Sequence, residues 1–407
     1  MARLAERTSR IASSATMAVT ATVDKLRRAG IEVIDFGAGE PDFGTPGTIK
    51  GAAHHAIDAE FTKYTPVPGI GELRRAVCER YKADYGVEYT ESQVILTAGG
   101  KQALYNTALT LFGPGDEVIT HQPYWPTIVE QIKLADATPV AVETHPEDGF
   151  AIRAEAILRA VTPRTRGIIL NSPCNPTGAL ISEADLTAIA EVAAKQDIWL
   201  VVDLCYEKLI YDAVAHNLPK VLAAMCSEQA VICGSASKAY AMTGWRCGWT
   251  IGPARVIAAS NALQSHATSN VNSITQKAVL EALTGSQAPV KAMLDEYRTR
   301  RDNLYSWLTA SPYIKCLKPA GAFYMFPDIR GAMAAGGFKT STEFAQALLE
   351  DQRVAITPGE AFDAPGFFRL SYATSMENLR EGSRRLLEFV NARAGAGAPA
   401  SLASTTR

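Results

Sequence analysis

Lys238 stands in the run Ser235-Ala236-Ser237-Lys238, directly after the apolar stretch Ala230-Val231-Ile232-Cys233 and eight positions before Arg246. A lysine placed where a strand gives way to a tight loop is partly desolvated. Burial disfavours its charged form, and the neutral amine can then form a Schiff base with an aldehyde. Ser235, Ser237 and Arg246 offer what a phosphate requires, short hydroxyl donors and a planar guanidinium fork. A ligand that joins an aldehyde to a phosphate, as pyridoxal 5'-phosphate does, would use all four residues. Two other readings compete. A lone lysine is most often a solvated surface charge. Ser235-x-x-Lys238 also matches the S-x-x-K pattern of serine acyltransferases, but the companion S-D-N and K-T-G are missing, the nearest approach being Lys339-Thr340-Ser341.

Other chemistry-bearing residues fall at the ends of apolar runs. Ala98-Gly99-Gly100-Lys101 lies between a strand-like and a helix-like stretch, where glycines let backbone approach an anion and a helix start favours a phosphate. The spacing is not that of a Walker A loop, and such a turn is often only a turn. Asp203 ends the run Ile198-Trp199-Leu200-Val201-Val202, the most apolar strand of the chain. A buried aspartate there needs a cationic partner, and a protonated pyridine nitrogen would serve. Tyr206 could donate to a ring oxygen. Tyr124 and Trp125 follow a proline and could stack on a cofactor, although packing is the commoner fate of aromatics.

These residues must be positioned by a fold of some size. The chain has 407 residues, 47% hydrophobic and 20% charged, with a net charge of −2. This length points to two domains or one large α/β unit with an appendage, and the composition to a globular enzyme. The charge leaves no footprint for nucleic acid or an anionic membrane. No run is apolar enough for a membrane span, and the first residues lack a signal-peptide core. Seven scattered cysteines without C-x-x-C read as reduced and buried, in keeping with a cytoplasmic location. Six histidines form no metal-ligand pattern, and no metal site is expected.

Strand-like runs at 94–97, 117–120, 139–142, 167–170, 198–202 and 230–233 alternate with helical stretches. Continuous β-branched runs indicate strands covered on both faces, hence a mostly parallel sheet between helices. After about Pro289 the pattern changes to a long charged helix, a strand pair and a last helix from Glu377 to about Val390. That is a smaller α+β unit. The tail from Ala394 to Ala400 is low in complexity and is expected to be disordered.

The run Asn171-Ser172-Pro173-Cys174-Asn175-Pro176-Thr177-Gly178, then Asp203-x-x-Tyr206, then Ser235-x-Ser237-Lys238 followed by Gly244-Trp245-Arg246-x-Gly248, resembles the class I pyridoxal-phosphate aminotransferases. The likeness is greatest to the bacterial aspartate aminotransferases. It extends to Gly37-Ala38-Gly39-Glu40-Pro41-Asp42-Phe43, Lys63-Tyr64-Thr65-Pro66, Pro123-Tyr124-Trp125, Gly321-Ala322-Phe323-Tyr324 and Arg369-Leu370-Ser371-Tyr372, nearly the whole chain. The resemblance implies fold type I, with a large cofactor domain at 46–290 holding a seven-stranded-type sheet. It also implies a small domain made of 17–45 and 291–393, an arm at 1–16, and the tail at 394–407. By the same resemblance Lys238 holds the cofactor as an internal aldimine and shuttles the Cα proton. Asp203 pairs with the pyridinium, Asn175 and Tyr206 bond the 3'-oxygen, and Trp125 stacks on the ring. Ser235, Ser237, Arg246 and the Gly99, Gly100 and Lys101 amides hold the phosphate. Tyr64 reaches the phosphate of a neighbouring subunit, so a homodimer with shared active sites is implied. Arg369 clamps the substrate α-carboxylate beside Gly39, with Trp125 and Asn175 also on the substrate side. Cis peptides are expected at Gln122-Pro123 and Asn175-Pro176.

The implied reaction is ping-pong transamination between an amino acid, foremost L-aspartate, and a 2-oxo acid, foremost 2-oxoglutarate, with Lys101 reading the distal carboxylate. Its rivals are an aromatic, neutral or prephenate aminotransferase, or an enzyme diverting the same chemistry to elimination or cyclisation. An acyl-enzyme and a catalytically dead binding protein stand outside the family. Three departures bear on this choice. Where many relatives carry Lys-Pro-Ser, this chain reads Ala12-Ser13-Ser14, which argues against prephenate. Leu204 replaces a usual acidic residue, with Cys205 where an aliphatic one is common. His266 occupies a stretch that often lines the substrate side.

Overall fold

A computed structural model describes residues 3–12 and 15–397. Two compact units emerge from it. Among the described residues the first contains 3–12, 40–296 and 320–322, and the second contains 15–39, 297–319 and 323–397.

The first unit is built on a seven-stranded sheet in the order Val94–Thr97, Gly248–Ile251, Ala230–Ser235, Trp199–Asp203, Thr165–Asn171, Glu117–Gln122, Thr138–Glu143. All neighbours pair in parallel except Gly248–Ile251, which runs against both of its partners. Six strands match the apolar runs of the sequence. Gly248–Ile251 was not anticipated, because four residues directly behind a loop motif carry no periodicity of their own. Leu200, Val201, Val202, Val231 and Leu170 are fully buried, as expected of strands covered on both faces. Register places Asn171 beside Asp203 and Asp203 beside Cys233, so the carboxyl ends of the central strands form one edge.

Helices cover the sheet for local reasons. In Glu183–Gln196, Ser182 caps the start by accepting the Asp185 N–H at 3.0 Å, and Asp197 closes the end in the left-handed region. Leu186, Ile189, Ala190 and Ala193 recur on one face and are wholly buried. Burying Leu186 and Ile189 contributes roughly 2 kcal/mol each. Gly100–Leu111 begins at the carboxyl edge, right behind Gly99 (φ 84°).

The second unit holds a three-stranded antiparallel sheet, ordered Thr357–Pro358, Phe368–Ser371, Tyr324–Met325, and a short parallel pair of Ile34–Asp35 with Val354–Ala355. Phe344 stacks near Phe368 and meets Phe389 edge-on with ring centres 5.4 Å apart, forming the core between sheet and helices.

The unit boundaries differ from those read in the sequence, and hydrogen bonds explain why. Glu40 accepts from Thr243 Oγ1 (2.8 Å) and Thr45 donates to the Ala241 carbonyl (2.6 Å), which draws residues from 40 onward into the first unit. Ala320 and Gly321 amides both donate to Gly178 O, and Ala322 N–H to Leu209 O, so 320–322 belong there too. In the arm, Arg10 pairs with Asp136 and the Ala12 N–H with Glu130, while residues 1–2 and 13–14 lie outside the described residues. The last helix runs Met376–Gly397, so 394–397, assigned to the tail from composition, are helical; 398–407 lie outside the described residues. Among the described residues no helix is long and apolar enough to cross a membrane.

Gly248 sits where three backbones meet. A Cβ there would lie 2.6 Å from Gly100 N and Gly234 O and 2.8 Å from Gly99 C. Backbone on all sides cannot yield as a side-chain tip would. Gly248→Ala is expected to lower unfolding free energy by roughly 1–3 kcal/mol or more, read from the urea midpoint at unchanged m-value.

Candidate active site

The carboxyl edge of the large sheet gathers most of the chemistry-bearing residues into one place. Asp203 ends its strand 3% exposed, accepting the Cys205 N–H at 2.9 Å. Burial outweighs that bond and the nearby Lys238 charge, pushing its carboxyl up to about 7. Lys238 projects from the single turn Ala236–Ala239, which starts at Ser235 in the next strand over. Ser235 caps that turn by accepting the Ser237 N–H at 3.1 Å and donates to Ser237 Oγ at 2.9 Å. Tyr206, in the turn after Asp203, is 5% exposed.

A second group surrounds the start of Gly100–Leu111. Arg246 has a left-handed backbone and donates to Thr243 O (2.8 Å) and Ala98 O (3.2 Å). A Cβ on Gly99 would lie 2.4 Å from the Arg246 Nη2, so only glycine leaves the guanidinium where it is. The Gly99–Gly100 turn thus sets a helix start beside a guanidinium and two serine hydroxyls, an anion cradle of the kind a phosphate fills, with the Gly99 N–H itself held by Thr97 O at 2.7 Å. Lys101 curls its ammonium over Trp125 at 4.9 Å from the ring centre, where burial, and then Arg246, lower its pKa.

The loop from Asn171 to Gly178 is almost wholly buried. Asn175 is 6% exposed and its N–H donates to Asn171 Oδ1 at 2.8 Å. Ser172 Oγ accepts the Ile181 N–H (3.0 Å) and shares a hydrogen bond with His216 Nε2 (2.8 Å). His216 is held neutral, its pKa lowered to about 4 by burial. Gln122-Pro123 and Asn175-Pro176 are cis, as expected, and Ser172-Pro173 is a third cis bond that was not.

In the second unit, Arg369 is 3% exposed. Its Nη2 donates to Gly37 O at 2.8 Å, and its guanidinium lies 4.3 Å over the Tyr324 ring and 5.0 Å over Phe362. A Cβ on Gly39 would come within 3.1 Å of Tyr324 Oη and 3.9 Å of Arg369 Nη2. A guanidinium so fixed, with glycine backbone beside it, suits a carboxylate.

Tyr64 is 91% exposed. His266 is exposed in the last turn of Ala254–Ala267, and Leu204 is buried as a core residue. All seven cysteines are free thiols. Burial raises each, Cys78 and Cys174 to about 11 and Cys205, Cys226, Cys233 and Cys247 to about 12. Among the described residues no group of acidic, histidine or cysteine side chains could hold a metal.

Sequence reasoning passed over His121, and quoted Asn171 at the head of its motif without giving it a role. His121 is 1% exposed, accepts the Asn171 N–H at 3.2 Å, and is held to about 4 by burial. Its position one residue before Gln122-Pro123 was the available signal, and a search for metal spacing could not see it.

These residues fit a phosphorylated pyridine aldehyde. The raised Asp203 carboxyl calls for an adjacent cation, the Gly99–Gly100 turn and Arg246 form an anion cradle, and Lys238 is an amine close to both Asp203 and Cys205. Residues 31–386 match the family described as aminotransferase class I and II. An aspartate/prephenate aminotransferase of Cereibacter sphaeroides is 44% identical over 96% of this chain and 99% of its own. An aspartate aminotransferase of Bacillus subtilis is 42% identical over 95% and 99%. The solved aspartate aminotransferase of Thermus thermophilus with maleate superposes with a TM-score of 0.90 at 41% identity, covering 96% of this chain and all of the other. The chain belongs to the class I and II aminotransferases, pyridoxal-phosphate-dependent enzymes of fold type I.

Proposed function

We propose that the chain transfers the amino group of L-aspartate to 2-oxoglutarate in two half-reactions. The observation carrying this choice is Lys101, whose ammonium is held over Trp125 beside the cofactor residues, as a reader of a second, distal carboxylate. Relatives named aspartate aminotransferases, one of them solved with maleate, support a dicarboxylate. A prephenate activity, suggested by the name of the Cereibacter relative, is opposed by Ala12, which offers no cation.

Bound pyridoxal phosphate supplies an electron sink for charge at the substrate Cα and a temporary store for the amino group. The chain does the rest. Asp203 keeps a proton on the pyridine nitrogen, while Asn175 and Tyr206 hold the 3'-oxygen. Ser235, Ser237, Arg246 and the Gly99, Gly100 and Lys101 amides anchor the phosphate. Trp125 bounds one face of the ring. Lys238 Nζ would take the substrate Cα proton and hold it for return within the site. Arg369, steadied by Gly37 O and flanked by Gly39, takes the α-carboxylate in a two-pronged grip. Tyr64, nearly fully exposed on the single chain, reaches the phosphate of a second copy in a homodimer. Seven unoxidised thiols accord with a cytoplasmic setting.

Three outcomes test this reading. Lys238→Ala should abolish the yellow absorbance that forms when pyridoxal phosphate is added, and a persisting colour would exclude Lys238 as the attachment site. Lys101→Ala should lower kcat/KM for aspartate about 100-fold and leave alanine nearly unchanged, since a charge-assisted bond to a carboxylate is worth a few kcal/mol; equal losses on both would remove the distal-carboxylate role. Asp203→Asn separates stability from binding. Its folded carboxyl, raised to about 7 from 3.8, holds a proton the unfolded chain has released, so cofactor-free stability falls as pH rises through that window. Above it the variant should be more stable than wild type without cofactor, by roughly 1–2 kcal/mol, yet bind pyridoxal phosphate less tightly. Urea melts and cofactor titrations at about pH 8 measure both.

A further inference from the structure

His121 lies in the strand Glu117–Gln122, one residue before the cis peptide that leads into Tyr124 and Trp125. Its ring hydrogen-bonds the Asn171 backbone, and the Pro123 backbone lies close to it. The Asn171 N–H takes up Nε2 as acceptor at 3.2 Å. With Nε2 accepting, a neutral ring carries its proton on Nδ1, facing away from that bond. A charged ring would carry a proton on both nitrogens and lose the Asn171 bond. Burial keeps the ring neutral.

Asn171 continues the chain of bonds. Its Oδ1 accepts the Asn175 N–H at 2.8 Å, and its Nδ2 donates to Asp203 O at 3.3 Å. Cys174 Sγ also points at Pro123 O, at 3.9 Å. Three adjacent strand ends are thereby tied in series, and each leads to one cofactor residue: Trp125, Asn175 and Asp203.

We propose that His121 is a positioning residue, a neutral Nδ1–H imidazole that sets the spacing between the ring-stacking Trp125 and the 3'-oxygen-binding Asn175. It rests on the roles proposed above for those two residues. The phosphate anchors lie on other strand ends: Ser235 ends Ala230–Ser235 with Ser237 in the turn behind it, and Gly99 follows Val94–Thr97.

The test uses full-length cofactor-free protein and two ligands. Pyridoxal 5'-phosphate is titrated by quenching of tryptophan fluorescence, and inorganic phosphate by competition against it. His121→Leu removes the Asn171 bond and should weaken pyridoxal phosphate roughly ten-fold, the scale of supporting-residue effects at bound groups, while leaving the phosphate constant unchanged. His121→Gln, which keeps an acceptor near Asn171 N–H, should recover part of the loss. Nitrogen-15 spectra of wild-type histidines at neutral pH should show His121 protonated on Nδ1 only, a readout that survives if His121→Leu does not fold. Equal weakening of both ligands would make His121 a general stability residue and overturn the proposal, as would a charged ring or the Nε2–H tautomer. Unchanged pyridoxal phosphate binding in His121→Leu would also sink it. Failure of wild type itself to bind pyridoxal phosphate would instead defeat the functional reading beneath it.

Discussion

A carboxyl group at the dry end of the central strand governs the rest of the site. Asp203 is 3% exposed behind the fully buried Val201 and Val202, and one backbone N–H with a nearby lysine does not offset its desolvation. The bare protein meets that cost by holding a proton on Asp203 up to about pH 7, and above it a cation seated against the carboxylate would relieve it. Such an arrangement stabilises a ligand more than it stabilises the fold, which is the usual relation between a binding site and its scaffold. The parallel sheet makes it possible. Register lines up Asn171, Asp203 and Cys233, so that neighbouring strands end together and their loops converge.

Around that edge the chain repeatedly gives up side chains to bring backbones together. Gly234 lets Trp249 lie across its strand, Gly248 lets the reversed strand touch the Gly99–Gly100 turn, and Gly99 yields its space to Arg246. The reversed strand is the consequence. It enters between Val94–Thr97 and Ala230–Ser235, and joins the turn with the anion-binding amides to the turn bearing Lys238. Two pieces of chain more than 130 residues apart are thus held as one cradle by main-chain bonds rather than by flexible side chains.

Much of this was readable in the residues. The continuous apolar runs foretold six of the seven strands, because burial on both faces leaves a compositional mark. Lys238, Asp203, Asn175 and Arg246 declared themselves through motif order, and the structure brings them to one edge of the large sheet, with Arg369 in the second unit. What stayed hidden depended on long-range contacts. Gly248–Ile251 becomes a strand only because two others flank it. Residues 320–322 join the first unit through bonds to Gly178 and Leu209 that no local pattern announces. His121 and Asn171 look unremarkable until the fold sets them 3.2 Å apart.

The dryness that defines Asp203 has a second effect, on Cys205. That thiol shares its surroundings with Asp203, Lys238 and Ser235, and burial together with the aspartate charge drives it up to about 12. At neutral pH roughly one such thiol in a hundred thousand is ionised. A thiolate beside the lysine would be a rival for any aldehyde entering the site, and would divert it into a sulfur adduct. On the roles proposed above, a thiol so little ionised would not compete with Lys238 for an entering aldehyde.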